Sequence, residues 1–284
     1  MPQTLTLYDQ ETRYSGPATR TLHVLPTLHI QLLGGFVLRS GDTPVTTVDS
    51  PRLQALLAFL VLQGSAPPHR QHVAFRLWPD STEAQAHANL RTLLHRLRHA
   101  LPSADRFLHV DAQTVQWRGD APCTVDVADF ERALALAAQA QQDENQRAVR
   151  VALTEAVERY HGDLLPGWYE DWVLVERERL HQAFLTALER LILLLEQAQD
   201  YLAAIGYAQC LLRNDPLHET TYQQLMRLHA LRGDRASALR VYQTCTAILA
   251  RELAVAPSPA TCDVYERLRH MESHQLCIPL GLLH

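Results

Sequence analysis

The sequence predicts a mainly α protein in two parts: a small N-terminal unit with short β-strands around three helices, then an all-helical repeat unit. Three observations carry this. Apolar and polar residues alternate around glycines after Leu28 and again after Phe107. From Cys123 onward apolar residues recur at helical spacing only, and one pattern within that stretch repeats after 34 residues.

Residues 1–27, with Pro2, Gly16, Pro17 and Pro26 among polar residues, read as a flexible leader. In "LHIQLLGGFVLRSGDTPVTT", from Leu28, the alternation around Gly34, Gly35 and the "SGD" turn predicts short antiparallel strands. The next stretch, "SPRLQALLAFLVLQG", has Ser50 as N-cap, Pro51 at the first helical position and Gly64 at the end, with Leu53, Leu56, Leu57, Leu60 and Val61 at core spacing. A second helix, "HRQHVAFRLW", follows the "SAPP" break. A third begins after "WPD", where Asp80 or Ser81 is placed to cap and Glu83 or Gln85 to complete a capping box.

On a wheel of about 100° per residue, Leu90, Leu94, Leu97 and Leu101 of this third helix share one side, with Leu93 and Ala86 at its margin. Opposite lie Arg91, His95, Arg98 and His99, flanked by Asn89, Thr92, Gln85 and Arg96; Ala84 and Ala88 on that side permit close approach. "RFLHVDAQTVQWRGD", residues 106–120, then gives two strand-like runs joined around "DAQ". Strands, three helices and a terminal hairpin make the order of a winged helix, in which the last helix enters the DNA major groove and the hairpin touches the backbone. Taken alone, the arginines of one amphipathic helix read as an ordinary solvated face, and the surrounding order of elements reverses that preference. Groove and phosphate contacts are therefore expected from Arg91, Thr92, His95, Arg98 and His99, with Asn89 and Arg96 at the edge of the face. Arg118 in the hairpin is assigned to the DNA backbone, and Arg52 and Arg70, at helix starts, are lesser candidates.

From Cys123 onward the sequence suggests no strand, only helices at roughly 126–142, 146–160, 168–198, 200–213, 216–232, 235–252 and 258–272. "DYLAAIGYAQ" from Asp200 and "DRASALRVYQ" from Asp234 align at a period of 34, placing Ala204 over Ala238, Ile205 over Leu239 and Ala208 over Tyr242. Phe130 opens "FERALALAAQ", which repeats the same small-residue element. Thirty-four residues is the tetratricopeptide period, and stacked arrays of this kind bind proteins or one another. The expected organisation is a leader over 1–27, a winged helix over 28–120, a helical repeat unit over 121–272 and a tail over 273–284.

Charge is uneven. Residues 28–120 carry nine arginines against seven acids, a net of +2, whereas residues 121–284 carry fifteen against twenty-two, a net of -7. A net of +2 is a weak footprint for nucleic acid, so placement on the fold has to carry the argument. All 26 basic residues are arginine, the better residue for bidentate contacts to phosphate and guanine. No apolar run approaches the roughly 20 residues of a membrane span, and "MPQTLTLYDQETR" has no secretory-signal pattern, so a cytoplasmic protein is expected. Five cysteines without a CxxC pair, Cys123, Cys210, Cys245, Cys262 and Cys277, suit neither zinc nor a disulfide framework and are expected to be reduced and mostly buried.

"YHGDLLPGWYEDWVLVERERL", "LLRNDPLHETTYQQLMRLHALRGDRASALRVYQ" and "LARELAVAPSP" together resemble the bacterial transcriptional activator domain of the antibiotic regulatory protein family. Tyr160, Gly162, Asp163, Trp172, Asp215, Pro216, Glu219, Leu225, Met226, Gly233, Ala238, Leu239, Tyr242, Glu252, Leu253 and Pro257 fall where that pattern has them. "LWPDSTEAQAHANLRTLLHRLRHAL" is similar to the recognition segment of the response-regulator type of winged helix that precedes this domain in the family, with more histidine and less arginine. The resemblance implies binding to direct repeats near promoters in double-stranded DNA, commonly as a homodimer, and recruitment of RNA polymerase. It implies a polymerase contact at the loop Trp78, Pro79, Asp80, Ser81, Thr82 and Glu83.

No phosphate loop, GxSxG elbow or HExxH pair occurs, so neither enzymatic activity nor a cofactor is expected. "LGG" at 33–35 reads as a strand bend. His69 and His72 have metal-ligand spacing without identifiable partners, so no metal is expected. Trp168, Tyr169 and Trp172 read as helix packing before they read as a ligand pocket, although a repeat unit that senses a small ligand is a further option. The rival reading for the whole chain is a helical-repeat scaffold whose winged helix no longer binds DNA.

Overall fold

The computed structural model describes residues 26–64, 67–119 and 121–270. The expected leader up to residue 25, the tail over 273–284 and Cys277 lie outside the described residues.

Three short strands, β1 (Leu28–Gln31), β2 (Val37–Ser40) and β3 (Thr43–Pro44), pair antiparallel as expected. Leu28 and Ile30 point into the core while His29 and Gln31 face outward, the period-2 alternation of a half-buried strand. The open edge of β1 is taken by β6 (Cys123–Val125), running parallel with Leu28 opposite Cys123, which completes the order β3-β2-β1-β6. This strand corrects the reading that nothing from Cys123 onward is a strand. Three residues are too few for alternation to register, and β6 is held by what it pairs with.

Asp126, the first residue of α5 (Asp126–Gln142), locks the junction. Its carboxylate accepts the backbone N–H of Leu32 and Leu33 at 2.9 and 2.8 Å and of Val127 at 2.8 Å. Burial nevertheless pushes this carboxyl above the ordinary aspartate range, the three hydrogen bonds and His161 opposing the shift. The "LGG" stretch does more than bend a strand. Gly34 has φ +78°, and a Cβ there would lie 2.9 Å from the carbonyl oxygen of His161, because Leu33 bridges to Leu164 across this contact.

α1 (Pro51–Leu62) follows the sequence closely: Ser50 caps it by accepting from the Leu53 N–H, Pro51 opens it, and Gly64 at φ +61° lies past its end. Leu53 and residues 55–61 are all buried. α2 (Arg70–Leu77) and α3 (Glu83–Ala100) pack against each other and α1. A short α4 (Ala104–Phe107), which the sequence did not announce, leads into the hairpin of β4 (Leu108–Val110) and β5 (Val115–Trp117). Phe107 stacks on Trp117 with ring centroids 5.5 Å apart, seating the hairpin on the core. The first unit is thus a winged helix.

The remainder is helical: α6 (Gln146–Arg159), α7 (Asp171–Gln197), α8 (Tyr201–Asn214), α9 (Glu219–Leu231), α10 (Arg235–Leu253) and α11 (Pro259–His270), each packed on its neighbour. The 34-residue repeat is visible in the caps. Asp200 accepts from Ala203 N–H at the start of α8, and Asp234 accepts from Ser237 N–H at the start of α10. Ala204 and Ala238, aligned by the repeat, are both fully buried, where only a small residue allows the helices to approach. Of the described cysteines Cys245 is buried, while Cys123, Cys210 and Cys262 are half-buried, so burial is less complete than expected. Among the described residues no helix is long and apolar enough to cross a membrane.

Candidate nucleic-acid interface

α3 presents the two faces its sequence implies. Leu90, Leu93, Leu94 and Leu97, with Ala86, are buried against α1 and α2, and Leu101 is buried at the C-cap. Arg91, Thr92, His95, Arg96, Arg98 and His99 are all exposed on the other side. Asn89 is half-buried and its side-chain oxygen accepts from Gln85 Nε2 at 2.9 Å, which places it at the margin. From Arg91 to Arg98 the helix rises about 10 Å, and His95 and His99 meet edge to face between and beyond them, with ring centroids 4.4 Å apart. Thr92 donates its hydroxyl back to Ala88 O at 3.2 Å, leaving its methyl and a hydroxyl lone pair outward.

The three arginines of this face stand without counter-charges: among the described residues no carboxylate forms an ion pair with Arg91, Arg96 or Arg98. Arg132, Arg159, Arg179, Arg251 and Arg269, elsewhere in the chain, each meet an acid. The cap of α3 is Thr82, accepting from Gln85 N–H at 3.4 Å; Asp80 and Ser81, the expected caps, belong to the preceding turn, where Ser81 N–H donates to Trp78 O.

The wing is fastened beside this helix. His69 bridges to Thr114, and Arg70 N–H donates to Gln113 O at 2.8 Å. At the hairpin tip Asp111 accepts from the Thr114 hydroxyl at 2.6 Å and from the backbone N–H of Thr114 and Gln113 at 2.7 Å. The side-chain bond from Thr114, then the two backbone bonds, hold its carboxyl down at about 2. Arg118 is half-buried at the base of the hairpin, 3.2 Å from His109 Nδ1.

Between α2, α3 and the wing tip runs a groove of about 540 Å³, lined by His69, Arg70, Glu83, His87 and Arg91 among others. His87 is a residue the sequence reading passed over. Its signal was the i, i+4 spacing to Arg91, which puts both on one edge of the helix. His69 and His72 meet no acid that would complete a metal site, and among the described residues no cluster of three or more His, Cys, Asp or Glu could hold a metal ion.

Two arginines expected on the DNA side have intramolecular work. Arg52 donates to Leu77 O at 2.7 Å and lies 5.9 Å from the centre of the Trp78 ring, so it braces the α2–α3 loop. Arg70 donates to Asp111 O at 3.0 Å and remains half-exposed at the groove. In the loop itself Pro79 and Asp80 are exposed, Trp78 and Ser81 are half-buried, and Thr82 and Glu83 begin α3. Glu83 accepts from Gln71 at 3.1 Å and lies 3.8 Å from His87. The loop faces the head of α7 across a cleft of about 610 Å³ that includes Tyr169 and Trp172. Trp172 packs edge to face on Phe59 of α1, with centroids 5.3 Å apart, so this residue packs onto the winged helix, while Tyr169 is exposed.

A winged helix with an exposed, unpaired cationic face on α3, continued by stacked helix pairs, defines the class. Residues 125–269 match the bacterial transcriptional activator domain, and the chain belongs to that family. Regulatory protein AfsR of Streptomyces coelicolor is 29% identical to it over 231 residues, covering 81% of this chain and 23% of that protein. Regulatory protein AfsR of Streptomyces griseus is 27% identical over 226 residues, covering 77% and 22%. The chain thus spans less than a quarter of the length of these curated relatives. EmbR of Mycobacterium tuberculosis, solved in complex with a low-affinity phosphopeptide, has a similar fold: TM-score 0.68 at 21% identity, covering 86% of this chain and 65% of that one.

Proposed function

We propose that the chain is a sequence-specific DNA-binding transcriptional regulator in which α3 enters the major groove. One observation carries the reading: the exposed Arg91, Arg96 and Arg98 have no carboxylate partner among the described residues and stand opposite a buried leucine stripe. A cationic face without internal counter-ions is what a phosphate-lined groove neutralises. Arg91, Thr92, His95, Arg98 and His99 contact bases and phosphates, with Asn89 and Arg96 at the edge. His87 and Arg70 in the side groove, and Arg118 at the base of the wing, meet the flanking backbone. Arg52 acts indirectly, by holding the α2–α3 loop.

The family supports the finer parts of this reading. The protein activates by binding direct repeats near promoters, as a homodimer formed through the helical repeats, and the exposed tip of the loop Trp78–Glu83 contacts RNA polymerase. It works in the cytoplasm, as a binder and not a catalyst.

The test is selection of duplexes from a random DNA pool by the purified chain, beside an Arg91→Ala, Arg98→Ala double variant. The expected result is enrichment of a repeated motif by the native chain and its loss in the variant. If neither protein enriches anything at moderate salt, the rival takes over: a helical scaffold with a degenerate winged helix, which the net of only +2 over residues 28–120 favours. A steep fall of affinity with salt counts against that rival, because it reports release of several counter-ions from phosphates.

A further inference from the structure

The outer face of α3 changes character along its length. Toward the C-terminus Arg91, His95, Arg98 and His99 are exposed, and among the described residues none of them forms an ion pair. Toward the N-terminus the polar ends are already engaged. Gln85 Nε2 donates to Asn89 Oδ1 at 2.9 Å, and Glu83 accepts from Gln71 at 3.1 Å and lies 3.8 Å from His87. Where the two halves meet, Thr92 is exposed and donates its hydroxyl to Ala88 O at 3.2 Å.

A threonine hydroxyl has one proton to give, and here the helix backbone takes it. Of Arg91, Thr92, His95, Arg98 and His99, Thr92 is the one that, among the described residues, bonds its donor back into the helix. What it offers outward is a methyl group. Ala88, exposed one turn earlier and about 40° away on the helix wheel, adds no polar group beside that methyl and leaves room for a base edge to reach it.

In the major groove the base edges are donors and acceptors with one apolar exception, the 5-methyl group of thymine. Two methyl groups in contact exclude water from both. The same methyl set against cytosine would face the N4 donor and leave it without a partner, which costs more than the lost contact. We propose that Thr92 determines specificity in the DNA interface: its methyl group packs on the 5-methyl group of a thymine in each copy of the recognised motif. The proposal rests on the assignment of α3 to the major groove and adds to it which base one side chain selects.

The test uses the full chain and the duplex that it selects from a random pool. Each thymine of the motif is replaced singly by deoxyuridine, which keeps the base pair and removes only the methyl group, and affinity is read by fluorescence anisotropy at one salt concentration. The native chain should lose about fourfold at one thymine of each copy, the scale of one buried methyl group. Thr92→Val keeps the methyl group without the hydroxyl, and should retain both the affinity and the fourfold loss. Thr92→Ser keeps the hydroxyl without the methyl group; it should bind the thymine duplex about fourfold less tightly and no longer distinguish thymine from deoxyuridine at that position. A motif without thymine, no sensitive thymine, or a fourfold loss that persists in Thr92→Ser overturns the proposal and leaves the DNA-binding reading standing, since a duplex was still selected. Selection of no duplex by the native chain instead brings down the reading beneath it, and the proposal with it. Should Thr92→Ser misfold, Thr92→Val decides: a loss of more than threefold on the thymine duplex assigns recognition to the hydroxyl and overturns the proposal.

Discussion

Arginines of α3 and arginines of α7 belong to one residue type in a chain whose 26 basic residues are all arginine, and they do opposite things. In α7 Arg177 turns back onto the backbone, donating to Leu164 O at 2.7 Å, Leu165 O at 2.6 Å and Trp168 O at 2.9 Å, and Arg179 meets Glu131 and Glu176. In α3 Arg91, Arg96 and Arg98 point away from the core and meet no acid among the described residues. Net charge cannot separate these two cases. What separates them is whether the guanidinium finds its acceptors inside the chain or leaves them to a partner.

The largest effect that sharpens the contrast is on the structural side. Arg177→Ala strips three part-buried carbonyls of a charged donor, and a loss of about 3 kcal/mol of folding stability is expected from such bonds. Urea melts of the native and variant chains measure it. The folded fraction should bind DNA with unchanged affinity, and a DNA defect larger than the stability loss explains would break the division between the two helices.

Next in size is the binding side. Arg91→Ala with Arg98→Ala removes two exposed guanidiniums that hold nothing in the fold. A fall in DNA affinity of about 100-fold is expected, together with a reduction of the salt slope by about 2 if both contact phosphates. Stability should move by less than about 0.5 kcal/mol, as for exposed substitutions in general. Titration by fluorescence anisotropy at several salt concentrations gives affinity and slope together. A large loss of stability with intact DNA binding would reverse the assignment.

Much of this contrast was legible in the sequence, and the exceptions have physical causes. Ser50, Pro51 and Gly64 delimit α1 because capping is local chemistry, and the 34-residue period locates α8 and α10 because Asp200 and Asp234 do the same job twice. The leucine stripe of α3 is visible because an 18-residue helix gives five turns of pattern. β6 and α4 were not legible: three and four residues hold no period, β6 exists because of its distant partner β1, and α4 is a single turn packed between its chain neighbours α3 and β4. The role of Arg52 was equally hidden, since its acceptor Leu77 O lies 25 residues away and only the folded loop brings Trp78 beneath it. His87 was missed for a different reason. Its helical spacing to Arg91 was there to be read, but the wing that turns both into one groove could not be placed from spacing alone.

Arg52 supplies the third and smaller test, because helix-start position made it a candidate for DNA while the structure gives it an intramolecular task. Its guanidinium is partly exposed, so Arg52→Ala is expected to cost about 1 kcal/mol of stability, the scale of one hydrogen bond or one exposed cation–π contact. The duplex affinity of the winged helix should change less than threefold, and transcription from a cognate promoter more than that, since the braced loop is the proposed polymerase contact. An affinity loss comparable to that of the Arg91→Ala, Arg98→Ala pair would move Arg52 back to the DNA side.

The smallest effect concerns how the wing is held. Asp111 gathers the Thr114 hydroxyl and the N–H groups of Thr114 and Gln113, and these bonds favour its ionised form, lowering its carboxyl to about 2. A folded-state value below the ordinary unfolded value of about 3.9 means that the contribution is complete above that value and is lost as pH falls toward the folded one. Following the Gln113 and Thr114 amide resonances from pH 6 down to pH 2.5 should therefore show them unmoved through 4, with change beginning only near the acid limit. A midpoint near 4 would mean that the tip bonds do not persist in solution, and would leave the wing held by its other bonds, from Val115 N–H to Pro68 O and from Arg70 N–H to Gln113 O. Asp111→Ala should then behave like the native chain; if the tip bonds do persist, it should instead free the two amides to exchange while leaving α3 protected.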